Sequence, residues 1–169
     1  RRMGKYSTGL SAKGFRDIAR QIHTYRMELT DKCEEFAYRM AEEGVAIAQL
    51  KILDFDAVFT GDLLNSMNLE QGDVVTNGAT YLIYTNCGWA LFNEFGTGLK
   101  GKENPHPDPS IAGWKYDIHD YGAEGWYYYK DGTWHWTQGI PSRPFMFETA
   151  QALRDSSLIA NIAKTVFGS

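Results

Sequence analysis

The sequence predicts an α+β fold: a long N-terminal helix, an antiparallel β-sheet with an aromatic hairpin, and a C-terminal helix packed on the sheet. Three observations predict it. An apolar stripe of helical period runs from Phe15 to Leu50, β-rich strings joined by tight-turn pairs follow, and an apolar string opens behind Pro141-Ser142-Arg143-Pro144. With 169 residues and 19.1 kDa, the chain reads as one domain over 1–169, with a flexible start (1–13) and a long loop (99–125).

The stripe passes through Phe15, Ile18, Ile22, Tyr25, Leu29, Cys33, Phe36, Met40 and Ile47, with charged residues on the remaining faces. Unbroken, such a helix is on the order of 50 Å long, against a radius of gyration of about 15 Å for a domain of this size. The expectation is that another chain covers part of the stripe, and Ile22 and Leu29 are its interface candidates. A bend at Thr30-Asp31 or Gly44 is the alternative.

Next, Thr60 to Met67 reads as a turn and short helix capped by the Thr60 hydroxyl, with Asp62 in the positive first turn. Asp73–Thr76 and Thr80–Thr85 read as strands joined across Asn77-Gly78. Trp89–Phe95 is an apolar segment ending in Gly96-Thr97-Gly98, and residues 99–125 read as an extended loop. In Trp126–Trp136, Asp131-Gly132 is a two-residue hairpin loop, so Lys130 faces Thr133, Tyr129 faces Trp134, and Tyr127 faces Trp136. Alternation puts Tyr127, Tyr129, Trp134 and Trp136 on one face and Trp126, Tyr128 and His135 on the other. The closing helix begins at Phe145, behind a Pro that a first turn tolerates.

Composition excludes several classes. Net charge is −4 and no basic run exceeds Arg1-Arg2, so no direct sequence-specific nucleic-acid contact is expected. No apolar run reaches the ~20 residues of a membrane span, and no signal-peptide pattern is seen. Cys33 and Cys87 read as two buried free thiols of a reducing compartment.

No catalytic constellation emerges. His106-Pro107-Asp108-Pro109 reads as polar loop residues. His119, between Asp117 and Asp120, has no partner motif of metal-site spacing. Ser66, Ser110, Ser142 and the cysteines lack a nucleophile elbow or a nearby base. Gly96-Thr97-Gly98-Leu99-Lys100-Gly101 is no phosphate loop, because Ser or Thr does not follow the Lys and the string does not open a helix. Glu94 reads as a surface or inter-subunit charge, not a general acid. The four rings of the hairpin face read as core or interface packing.

Three strings in order resemble the head–tail joining or tail-completion (minor tail, neck) proteins of long-tailed siphophages. They are Thr60-Gly61-x-Leu63-x-x-Ser66 after a long helix, Ala90-x-x-x-Glu94-Phe95-Gly96-Thr97-Gly98 after a β-hairpin, and Pro141-Ser142-Arg143-Pro144-Phe145-Met146 opening the last helix. His106–Pro109, Trp114-Lys115-Tyr116, Gly125-Trp126 and Trp134–Thr137 resemble a long-loop branch of that family. Leu64 departs from it, standing where members often carry a basic residue.

The resemblance implies a non-enzymatic virion protein, assembled in the host bacterial cytoplasm. It implies self-association into a ring between the head-completion connector and the tail tube, with no cofactor or small-molecule substrate. Glu94, Gly96, Gly132, Arg143 and Phe145 become structural or interface candidates, with the Arg143 guanidinium expected to tie loop carbonyls or the Glu94 carboxylate. The runner-up is a carbohydrate- or cell-wall-binding module using the hairpin rings, which solvent exposure of that face would favour and burial would oppose. A third reading, a metal-dependent hydrolase, needs His106, His119 and a carboxylate to converge.

Overall fold

The structure is a computed structural model that describes residues 11–57, 61–73, 75, 78–111, 113–117, 120 and 124–168. The expectations resting on Thr60, Val74, Thr76, Asn77 and His119, and on residues 1–10, lie outside the described residues. The fold is α+β, with a long N-terminal helix, two small antiparallel sheets and C-terminal helices.

Helix α1 (Ala12–Asp54) is continuous over 43 residues, about 65 Å at 1.5 Å per residue. No break occurs at Thr30-Asp31 or at Gly44. The absence of a Cβ at Gly44 serves close packing: one placed there would stand 2.3 Å from Ile83 Cδ1 and 3.0 Å from Leu153 Cδ1. After α1 come α2 (Asp62–Asn65), β1 (Met67–Gln71), β2 (Tyr81–Thr85), α3 (Ala90–Phe95), α4 (Gly98–Glu103) and a 3₁₀ turn (Pro109–Ile111). The chain ends in β3 (Trp126–Lys130), β4 (Thr133–Thr137), α5 (Phe145–Ala152) and α6 (Ser156–Phe167).

Several elements differ from the sequence reading. A strand that the sequence reading did not expect, β1, pairs with β2. Met67-Asn68-Leu69-Glu70-Gln71 contains mostly helix-favouring residues; its pairing and the burial of Met67 override that preference. Val75 keeps one bridge, to Gly78. Among the described residues the single expected sheet is two, because β3 and β4 pair only with each other. The loop expected from 99 onward begins as helix α4, so the glycine string does open a helix, although one of only six residues. The closing helix is two, divided before Asp155, which caps α6.

The described residues form two compact units. One comprises the described part of Arg1–Glu42, with Leu69–Leu82 and Asp155–Ser169. Within it Phe167 of α6 meets Phe36 of α1 with ring centroids 6.0 Å apart, and Tyr81 meets Tyr38 edge-on at 5.5 Å. The other comprises Glu43–Asn68 and Ile83–Arg154. Its core is Ala48, Ile52, Ala57, Leu63, Met67, Ala90 and Phe145, with Val45, Leu64, Ile83, Cys87 and Met146 packed around it. Over the end of α1 the buried seam is Ala41, Gly44, Ala48 and Ile52, whereas Met40 and Ile47 of the expected stripe are only half-buried. Cys33 and Cys87 are free thiols, half-buried instead of buried.

Candidate functional site

Helix α5 begins at a proline, and Pro144 has no side-chain group to cap the helix. The first amide hydrogens of a helix lack intrahelical acceptors and need one from elsewhere. Glu94, at the end of α3, supplies it from 52 positions away. Its Oε2 accepts from Met146 N and its Oε1 from Phe147 N, both at 2.9 Å. His106 Nε2 lies 3.1 Å from the same Oε1. The backbone N–H of Asp108 donates to His106 Nδ1 at 3.1 Å, so Nε2 carries the hydrogen directed at Glu94. Glu94 is 6% exposed. The expected surface or inter-subunit charge is therefore a buried carboxylate at a positive helix terminus, with three donors around it. The expected loop histidine is its partner, seated between Phe95 and Phe147 at 5.1 and 5.2 Å.

Two of the three strings that carry the resemblance meet here. Ser142 Oγ donates to the Glu94 carbonyl, and Arg143 N donates to Asn93 O at 2.7 Å. Thr97 and Ile140 exchange backbone hydrogen bonds at 2.9 and 3.2 Å, and Trp114 Nε1 donates to Gly96 O at 2.9 Å. Gly96 has φ +78°, and a Cβ there would stand 2.7 Å from Ser142 N and 2.9 Å from Gly101 Cα. Both the backbone angle and the crowding thus require glycine. Phe145 is fully buried. The Arg143 guanidinium reaches Asn93 Oδ1 at 3.5 Å, and no bond between it and Glu94 occurs. In the first string Leu63 lies in the core, and Ser66 Oγ donates to Leu63 O and pairs with Thr85 Oγ1 at 2.6 Å. Leu64, the departure, packs half-buried against that core.

Among the described residues, the α1 start and the β3–β4 hairpin also expose large apolar side chains. Along α1, Phe15, Ile22 and Tyr25 are 60%, 63% and 63% exposed, and Ile18 and Leu29 are exposed as well. The hairpin pairs in the expected register, Tyr127 opposite Trp136 and Tyr129 opposite Trp134. Its turn has φ +52° at Asp131 and +80° at Gly132, the left-handed pair that a twisted two-residue hairpin needs. Tyr127, Tyr129, Trp134 and Trp136 are 62%, 61%, 68% and 51% exposed, which corrects the core half of the expected core or interface packing. The Tyr127–Trp136 and Tyr129–Trp134 rings meet edge to face, at 4.8 and 5.4 Å. On the opposite face Tyr128 stacks on His135 at 5.4 Å.

Among the described residues no cluster of three His, Cys, Asp or Glu is arranged to hold a metal ion, and no helix is long and apolar enough to cross a membrane. A cleft of about 260 Å³ opens beside His106, lined by Phe95, Pro105, Asp108, Pro109, Trp114 and Tyr116. The Asp108 carboxylate there accepts from Ser110 N at 2.9 Å, and its pKa is held below the usual carboxylate range chiefly by its bonds to Ser110. Sequence reasoning missed the Glu94–His106 pair and Asn93, whose partners lie far along the chain. The one local signal was a helix opening on proline without a capping side chain. Comparison with protein-family models, with curated proteins and with solved structures finds no match for this chain.

Proposed function

We propose that this chain is a ring-forming structural protein of the tailed-phage neck, joining the head-completion connector to the tail tube or completing the tail. The observation that carries the reading is the α1 face from Phe15 to Leu29, whose large apolar side chains stand in solvent. Contiguous exposed apolar surface of a few hundred Å² marks a contact with another macromolecule. The order of the three strings supports the phage assignment. The convergence of the second and third around Glu94 supports a structural role for them, since their polar groups are used in holding the chain together.

Light scattering over a concentration series, alone and with connector and tail-tube proteins, tests the proposal. Mass should rise above 19.1 kDa with concentration or on adding either partner. A wild-type protein that stays monomeric throughout is not a ring component.

A second reading, a carbohydrate- or cell-wall-binding module, is favoured by one observation, the exposure of the four hairpin rings. It is tested by retention of the protein on immobilised cell-wall polysaccharide and loss of that retention in Trp136→Ala.

A further inference from the structure

We infer that the aromatic face of the β3–β4 hairpin is the docking surface for the exposed α1 face of a second copy of this chain. The inference rests on the ring reading and names the two surfaces that meet. A closed ring is built from heterologous contacts, in which one surface of each subunit meets a different surface of the next. The described residues offer two unlike exposed apolar surfaces: an aliphatic-aromatic helix face (Phe15, Ile18, Ile22, Tyr25, Leu29) and a plate of Tyr and Trp rings.

Area, shape and charge each favour this pairing. Four rings of about 200 Å² each, somewhat over half exposed, offer roughly 450–500 Å², and the five helix side chains offer a similar area. Interfaces are about 57% apolar, so roughly 900 Å² of apolar surface corresponds to a total of about 1,600 Å², the size of a standard stable interface. The ring pairs are tilted by 62° and 63°, giving a furrowed surface instead of the coplanar plate on which a flat sugar ring would stack. Successive ring pairs along a strand lie about 7 Å apart. The helix ridge repeats about every 5–6 Å, close enough to interdigitate. The helix segment 12–29 carries Lys13, Arg16, Arg20 and Arg26 against Asp17 and Glu28, and cations are drawn to the faces of Tyr and Trp rings.

The test uses the full chain and two charge substitutions at sites more than 60% exposed, Trp134→Asp on the hairpin and Ile22→Asp on the helix. Tyr129→Asp and Tyr25→Asp replace them if far-ultraviolet circular dichroism shows either to be unfolded. Each variant alone should associate at least ~30-fold more weakly than wild type, the effect of losing an anchor residue. An equimolar mixture should give a 1:1 complex of about twice 19.1 kDa and nothing larger, because one intact hairpin and one intact helix face remain. Wild-type association by Trp134→Asp would overturn the inference while leaving the ring reading in place, as would a mixture that stays monomeric. Polysaccharide binding abolished in an otherwise normally assembling Trp134→Asp would assign the face to sugar. A wild-type protein that never associates removes both the ring reading and this contact.

Discussion

Around Glu94 the chain buries charge and amide groups; along β3–β4 it leaves tyrosines and tryptophans in water. Both regions run against the ordinary sorting of polar and apolar residues, and they do so at opposite energetic cost. Burying a carboxylate is tolerable only if each oxygen finds donors, and here Met146 N, Phe147 N and His106 Nε2 supply them. Exposing four rings forgoes burial worth about 1.5–3 kcal/mol for each large apolar side chain. The first arrangement fixes the start of α5 to the end of α3 and is finished within the chain. The second is unfinished, and a contact with another molecule would complete it.

The largest expected effect comes from breaking the finished region. In Glu94→Ala, two helix-start amides and the His106 ring lose their acceptor, so the stability of this unit should fall by about 3–5 kcal/mol. Glu94→Gln keeps one good acceptor but turns an NH₂ toward donors, and should fall between wild type and Ala. Urea denaturation checks both, and wild-type stability in Glu94→Ala would mean that the buried carboxylate contributes nothing net. Association per folded molecule should be unchanged in Glu94→Gln, since the residue touches neither open surface.

How much of these two regions the sequence disclosed follows from the distance over which each is specified. The hairpin was legible because Asp131-Gly132 and the alternation of Tyr127, Tyr129, Trp134 and Trp136 are local, and its register follows from the turn. Its solvent exposure was not legible, since alternation separates two faces without saying what covers either. The Glu94 region was legible only as a string of marker residues. Its bonds join positions 12 and 52 apart, and no periodicity records such pairings. The core under α1 was misread for another reason: Ala41, Gly44 and Ala48 carry little hydrophobic signal, while Met40 and Ile47 beside them carry more. In the exposed half of α1, Phe15, Ile18, Ile22, Tyr25 and Leu29 form an uninterrupted stripe, but from Ile18 to Leu29 every face of the helix is exposed and burial marks out none of them. Strand β1 was hidden by its composition.

A middle-sized effect is expected in the open region. A Cβ on Gly132 would meet nothing within 4 Å, so substitution there is penalised by backbone conformation alone. Gly132→Val at φ +80° should cost about 1–2 kcal/mol, and Gly132→Asn less, since Asn tolerates the left-handed region. The near-ultraviolet dichroism of the Tyr127–Trp136 and Tyr129–Trp134 pairs should fall in the Val variant. Because the turn lies outside the Glu94 bonds, urea stability of the remaining unit should change little. An unaltered aromatic spectrum in a folded Gly132→Val protein would show that the ring pairs do not depend on the turn.

The smallest effect comes from a helix capped in the opposite way to α5. Helix α6 takes its cap from its own sequence: one Asp155 carboxylate oxygen accepts from Ser157 N at 2.8 Å, Leu158 N at 3.2 Å and the Ser157 hydroxyl. The Ser157 hydroxyl and then the Leu158 and Ser157 amides hold the Asp155 pKa below the usual carboxylate range, slightly opposed by burial. A depressed folded-state pKa stabilises above the unfolded value, and that contribution is lost as pH falls through the folded pKa. The cap is therefore fully effective at neutral pH and weakens only below about pH 4, the ordinary carboxylate range. Asp155 is exposed, so water competes for every bond and Asp155→Ala should lower Tm by only a few degrees at pH 7. The gap between wild type and variant should close as the pH is taken below the folded pKa. Thermal unfolding of both proteins between pH 2 and pH 7 reads this directly. A gap that stays constant across the range would mean that the side chain acts through packing or backbone preference instead of through its charge. Where α5 depends on a carboxylate sealed from solvent, α6 depends on one that solvent can reach, and only the second should respond this mildly to its removal.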